Sequence, residues 1–249
     1  MATTTEPRAI GRRNLLRYAC GCAVGGAALA AAGPLVRPFV RPLAAAEIMK
    51  ATMSPDEALA RLKEGNERYV TGKGVAANIE TEFQPGDAKL AEGQKPHSVI
   101  LSCADSRVIP EFVFNKGKGA LFVIRNAGNL AGLQAIASVE YGVAFTGCSL
   151  VVVMGHSGCG AVQAAAQILN EDKVLPGKAP EVVAPIGAAL ARVRGMPGDL
   201  IENAVAENVR ANVAILSAQQ PILSQAVNHG RLKILGAVYH LRTGRVQFL

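Results

Sequence analysis

Ser98-Val-Ile-Leu-Ser-Cys103-Ala-Asp105-Ser-Arg107 and Leu150-Val-Val-Val-Met-Gly-His156-Ser-Gly-Cys159 decide how this chain of 249 residues folds. Each stretch opens on an apolar, largely β-branched run and ends in turn residues. That pattern reads as a strand buried on both faces, as in a parallel sheet. Open sheets of this kind gather their ligands just beyond the carboxyl ends of the strands. Cys103, His156 and Cys159 therefore project from two strand ends into one crevice. Two thiols and an imidazole make a zinc set with one coordination position to spare, and a spare position marks a catalytic site. Asp105 and Arg107 sit in the same turn as Cys103, an acid and a base without a packing role.

Blander readings exist for each piece. A lone cysteine is usually a small buried hydrophobe. The run Gly155-His-Ser-Gly158-Cys-Gly160 could cradle a phosphate at a helix N-terminus. It lacks the lysine of a P-loop, however, and the Gly-x-Gly order of a dinucleotide fingerprint. Cys103, Asp105, Arg107, His156 and Cys159 taken together favour one catalytic Zn2+ per chain.

Outward from these two strands the chain alternates. Further strands are expected at 120–124 and 232–239, and helices at 131–145, 159–170, 181–194 and 198–218. The fold class is α/β: a mostly parallel central sheet of about four parallel strands plus one antiparallel edge strand, flanked by helices. Leu241-Arg-Thr-Gly-Arg-Val-Gln-Phe248 supplies the turn into that edge strand. Ser54-Pro55-Asp56-Glu57 starts a helix with a cap, a proline at the first position and acids in the first turn. The helix forms an arm over about 54–72, and its thin apolar stripe (Leu59, Leu62, Tyr69) predicts packing on a partner chain. Residues 72–96 read as loop with a helical piece near 88–92. Cys148 reads as core, and His97, His229 and His240 as surface or strand-end residues.

The amino-terminal stretch is of another kind. Arg8, Arg12, Arg13 and Arg17 precede an uncharged run from Tyr18 to Val36, and Ala44-Ala-Ala46 follows. A basic head, an apolar middle and an Ala-x-Ala exit predict a signal peptide over residues 1–46. Arg12-Arg13-Asn-Leu-Leu-Arg17 resembles the twin-arginine variety, so export to the periplasm or outside is expected. Residues 47–249 are then a single domain without a membrane anchor. Of 26 basic and 19 acidic residues, residues 1–46 hold six and one, leaving 20 against 18. So mild a balance gives no ground for nucleic-acid binding. Three cysteines remain, an odd number that does not suggest a disulfide framework.

Cys103-x-Asp105-x-Arg107 with His156-x-x-Cys159 resembles the β-class carbonic anhydrases, from about Ser54 to the C-terminus. Gln94, nine residues before Cys103, matches the family's substrate-side glutamine. Phe122 and Tyr141 fall where the family lines its carbon dioxide pocket with aromatics, and Ala127 is a further wall. Arg125-Asn-Ala-Gly-Asn129 is similar to its Arg-Asn-x-x-Asn segment. The resemblance implies reversible hydration of carbon dioxide to bicarbonate and a proton by a zinc-bound hydroxide. Asp105 would accept a hydrogen bond from that hydroxide, and Arg107 would hold Asp105 through a bidentate pair. Family pockets draw on two subunits, so a homodimer or a tetramer of dimers is implied. Ile100 stands where the bicarbonate-inhibited subgroup has a Trp, which places the chain outside that subgroup. Hydrolysis of carbonyl sulfide or carbon disulfide on the same site is the alternative reaction. A non-catalytic zinc scaffold is the alternative class, although a structural zinc would need a fourth ligand.

Overall fold

The computed structural model describes residues 49–73, 88–171 and 174–249. The signal reading over 1–46 lies outside them. Among the described residues no helix is long and apolar enough to cross a membrane.

Among the described residues five strands form the sheet: β1 (Ser98–Cys103), β2 (Leu121–Asn126), β3 (Leu150–His156), β4 (Lys233–Tyr239) and β5 (Val246–Phe248). Their order is β2-β1-β3-β4-β5, parallel except for the antiparallel β4–β5 pair. The expected class holds, edge strand included. All six residues of β1 and all seven of β3 are buried, as double-sided burial requires. Side chains alternate between the faces. Val99, Leu101, Val151 and Val153 share one apolar cluster, and Ile100, Leu150, Val152 and Met154 share another.

The first face is covered by α4 (Leu133–Thr146), α7 (Leu200–Ser217) and α8 (Ile222–Asn228). A cluster at the carboxyl end of the sheet joins α5 (Gly160–Glu171) and α6 (Ala179–Val193) to α7. The opposite face carries α1 (Pro55–Val70) and α3 (Pro110–Val113), while α2 (Ala88–Ala91) precedes β1. The short α3 and α8 were not expected from the sequence, because four and seven residues are too few for an apolar period to stand out.

Ser54 caps α1 with both hydrogen bonds of a capping box. The arm does not wait for a partner chain, which corrects the expectation. Ala58 and Leu62 are fully buried in this chain's own core, with Ile100, Leu150, Val152 and Phe114. The apolar stripe looked thin because the next inward residue is polar. Buried Asn66 donates to the carbonyls of Val113 and Gly244, and its side-chain oxygen accepts from the Val246 N–H.

Candidate metal centre

The strand order makes the crevice. From β1 the chain passes to β2 on one side and returns to β3 on the other, so connections part above β1 and β3. Ligands collect at such a switch point. Cys103 ends β1, His156 ends β3, and Cys159 stands one residue before α5. Their ligand atoms all lie within 4.8 Å of one another, and all three residues are buried.

Two further observations fit this trio to a metal. The imidazole Nδ1 of His156 lies 3.0 Å from the Ser157 carbonyl, which can only accept, so Nδ1 carries the proton. That leaves Nε2 as a bare lone pair, buried and without a hydrogen-bond partner. Metal-bound histidines are oriented by this kind of outer bond. The cysteines form no disulfide. Cys103 is the thiol pulled toward ionisation, first by the hydrogen bond from Cys159, then against burial by the backbone of Gly128 and Asp105. Cys159 is pushed the other way by the same bond and by burial. A thiolate beside a lone pair is a soft donor set suited to zinc.

Asp105 is held beside the trio rather than in it. Arg107 donates from Nε to Oδ1 at 2.9 Å, from Nη2 to Oδ2 at 2.7 Å, and from its backbone N–H to Oδ1 at 3.0 Å. These bonds hold the carboxyl well below the usual carboxylate range. Asp105 Oδ2 stops 3.8 Å from His156 Nε2. The carboxylate faces the centre without filling a ligand position. Arg125 holds the same turn, donating to the carbonyls of Cys103 at 3.1 Å and Asp105 at 2.7 Å.

Helix α7 braces both turns, a role the sequence reading missed. Glu202 accepts from the Gly158 N–H at 3.0 Å, inside the His156–Cys159 turn. Asn208 Nδ2 donates to the Gly128 carbonyl at 2.9 Å, and Asn212 Oδ1 accepts from the Ala131 N–H at 2.7 Å. Two asparagines four apart on the apolar face of a helix were the available signal. They weaken a helix and are kept there only with partners.

The carbonic anhydrase family model matches residues 98–246. The chain belongs to the β-class carbonic anhydrases. It is 36% identical over 192 residues to "Carbonic anhydrase 2" of Mycobacterium tuberculosis, covering 77% of this chain and 91% of that one. To the carbonic anhydrase of Mycolicibacterium smegmatis it is 33% identical, over 78% of this chain and 93% of that one. The Coccomyxa β-carbonic anhydrase, solved with acetazolamide, superposes with a TM-score of 0.59 at 29% identity. That likeness covers 77% of this chain and 86% of the other. A tetrameric β-carbonic anhydrase of Sordaria macrospora shares the fold, with a TM-score of 0.61 at 23% identity over 74% of this chain and 95% of that one.

Against this family background the remaining expected site residues divide. Ala127 follows β2 directly and lies beside the trio, next to the Gly128 N–H that reaches Cys103 Sγ at 3.5 Å. Phe122 pairs with Val99, four residues short of the Asn126–Cys103 pair, so it lies about 13 Å down the strand. Tyr141 on α4 lies against it, the ring centroids 6.0 Å apart. Gln94 is exposed and precedes the start of β1, at the end opposite Cys103. A single chain does not bring Phe122, Tyr141 or Gln94 to its own metal trio.

Proposed function

We propose that this chain hydrates carbon dioxide reversibly to bicarbonate and a proton at one zinc held by Cys103, His156 and Cys159. The observation that carries the reading is Asp105, locked by Arg107 beside a lone pair that has no partner. Zinc with three protein ligands and an open position supplies water acidified toward neutral pH. The chain's own residues do the rest. Asp105, kept ionised, would accept a hydrogen bond from a proton-bearing group at the open position and orient that group toward substrate. Arg107 and Arg125 keep the turn from delivering the carboxylate to the ligand position.

Carbon dioxide is small and apolar and needs apolar walls with few polar groups. Ala127 would supply one wall from the same chain. Phe122, Tyr141 and the hydrogen bond of Gln94 would come from a second copy, because they lie at the far end of the sheet from their own trio. A homodimer, or a tetramer of dimers, follows from that reading. Stopped-flow carbon dioxide hydration by zinc-quantified protein tests it, with carbonyl sulfide and carbon disulfide as competing substrates. Hydration that follows zinc content supports it. Turnover confined to the sulfur substrates gives the site to the alternative reaction, and none at all points to the scaffold.

Export through the twin-arginine route is proposed on residues 1–46 alone. Folding and zinc loading before export would keep Cys103 and Cys159 from joining in a disulfide in an oxidising periplasm. Replacing Arg12 and Arg13 with Lys should leave active, uncleaved precursor in the cytoplasm. Normal export of that double variant would exclude the route.

A further inference from the structure

Two thiolates make a zinc set electron-rich, and hydrogen bonds to sulfur are the means of drawing charge back. The Gly128 N–H points at Cys103 Sγ at 3.5 Å. Its aim depends on an unusual turn, in which Gly128 (φ +77°) and Asn129 (φ +47°) are both left-handed. Asn126 closes the turn on itself through two bonds to the backbone of Leu130. A further restraint comes from α7, some eighty residues away in sequence.

The amide orientations on α7 follow from their partners. Asn212 Oδ1 must accept from the Ala131 N–H, so its Nδ2 faces Asn208 and donates to that residue's carbonyl and Oδ1. Asn208 Oδ1 is thereby occupied, and its Nδ2 is left to donate to the Gly128 carbonyl. Both asparagines are buried. The helix that carries them is seated by Val209, which fills the hollows above Gly155 and Gly236. A Cβ at either glycine would come within 2.7 Å of a Val209 methyl. Gly155 immediately precedes His156, so this contact sets α7 directly against the strand that delivers a ligand.

We propose that Asn208 is a positioning residue for the metal centre, acting through Gly128: it holds the Gly128 carbonyl and so aims the Gly128 N–H at Cys103 Sγ. Asn212 orients Asn208. The bond from Gly128 lowers the charge that Cys103 gives to the metal and leaves the centre a stronger Lewis acid. The inference rests on the zinc reading above and adds to it residues on α7 that touch neither metal nor substrate.

The test uses the full chain, ¹⁵N-labelled and loaded with ¹¹³Cd, and looks for scalar coupling between the metal and the Gly128 amide proton. A hydrogen bond to a coordinating sulfur transmits such coupling, and mere proximity does not. Coupling is expected in the wild type and should vanish in Asn208→Ala and Asn208→Asp. In the cobalt(II) forms of both variants the sulfur-to-metal charge-transfer band should shift. Metal affinity should fall about 10- to 100-fold. In the zinc forms kcat should fall while KM for carbon dioxide holds. A wild-type chain that binds cadmium without coupling to Gly128 overturns this inference and leaves the zinc reading standing. So does a metal-loaded Asn208→Ala protein with unchanged coupling and spectrum. A wild-type chain that binds no metal overturns both. Where a variant fails to fold, a wild type without coupling still overturns the inference.

Discussion

Asp105 is held by three donors from Arg107 alone, and that geometry separates its role from that of the metal ligands. Asp105→Asn and Arg107→Ala are expected to keep zinc near one per chain while hydration falls by about 10²–10³-fold, the usual cost of losing an oriented bond at a reacting group. Metal analysis beside stopped-flow turnover measures both, and wild-type rates in the two variants would remove the dyad from the mechanism. His97 makes a separate prediction. The sequence predicts a surface or strand-end residue, and His97 does precede β1, but it is only 6% exposed. Its Nδ1 meets Ser98 Oγ at 2.8 Å and its Nε2 has no partner. Burial pushes its pKa down to about 4, with the charges of Lys116 and Arg61 adding to the effect. Between about pH 6.5 and 4 the unfolded chain takes up a proton at this ring and the folded chain does not. Stability should therefore fall as pH drops through that window, by an amount on the order of 3 kcal/mol. Urea unfolding of zinc-loaded protein at pH 7 and pH 5 should show a shallower loss in His97→Asn than in the wild type.

At the scale of elements, α1 is where pattern and packing part. Its stripe counts few apolar residues, yet Leu62 is completely buried against β1 and β3, and Asn66 ties the helix to α3 and the β5 edge. Lys233 on β4 adds an ion pair to Asp56 in the first turn. Leu62→Ala should cost about 2–5 kcal/mol, as truncation of a buried leucine does. The measurement is chemical denaturation of dilute protein. A loss below about 1 kcal/mol there would mean that the arm finds its burial elsewhere. The strands behaved differently. β1 and β3 were legible nearly to the residue because their burial on both faces leaves only one kind of side chain acceptable along the run.

At the scale of the whole molecule, one flank of the described sheet exposes apolar side chains. Among the described residues β2 is an edge strand, and beside it Tyr141 and Phe145 stack at 5.1 Å between centroids. Tyr141 is 49% exposed, Phe145 54% and Leu133 77%. An exposed edge with a large apolar patch is a surface for a partner. A second copy there is the occupant that the function proposed above calls for. Phe145→Glu places a charge in that patch without touching the metal trio. The expected protein is monomeric by sedimentation, keeps one zinc per chain and loses most of its hydration activity. A fully active monomer would show that Gln94, Phe122 and Tyr141 are not needed from a second copy.

The sequence by itself determined the parallel sheet, the Cys103–His156–Cys159 trio and the Asp105–Arg107 pair. Each is carried by short-range signals: double-sided apolar runs, ligand residue types at strand ends, and a carboxylate two residues from a guanidinium. The tertiary structure alone decided that polar Asn66, Asn208 and Asn212 turn inward. Periodicity counts such residues as solvent-facing, and only their distant backbone partners make burial affordable. It alone decided that Gly155 serves the seating of α7, since the side chain that needs its hollow, Val209, comes more than fifty residues later. It alone separated Phe122 and Tyr141 from the trio in the same chain, because strand register sets which end of a sheet a residue occupies. Residue type does not carry that information.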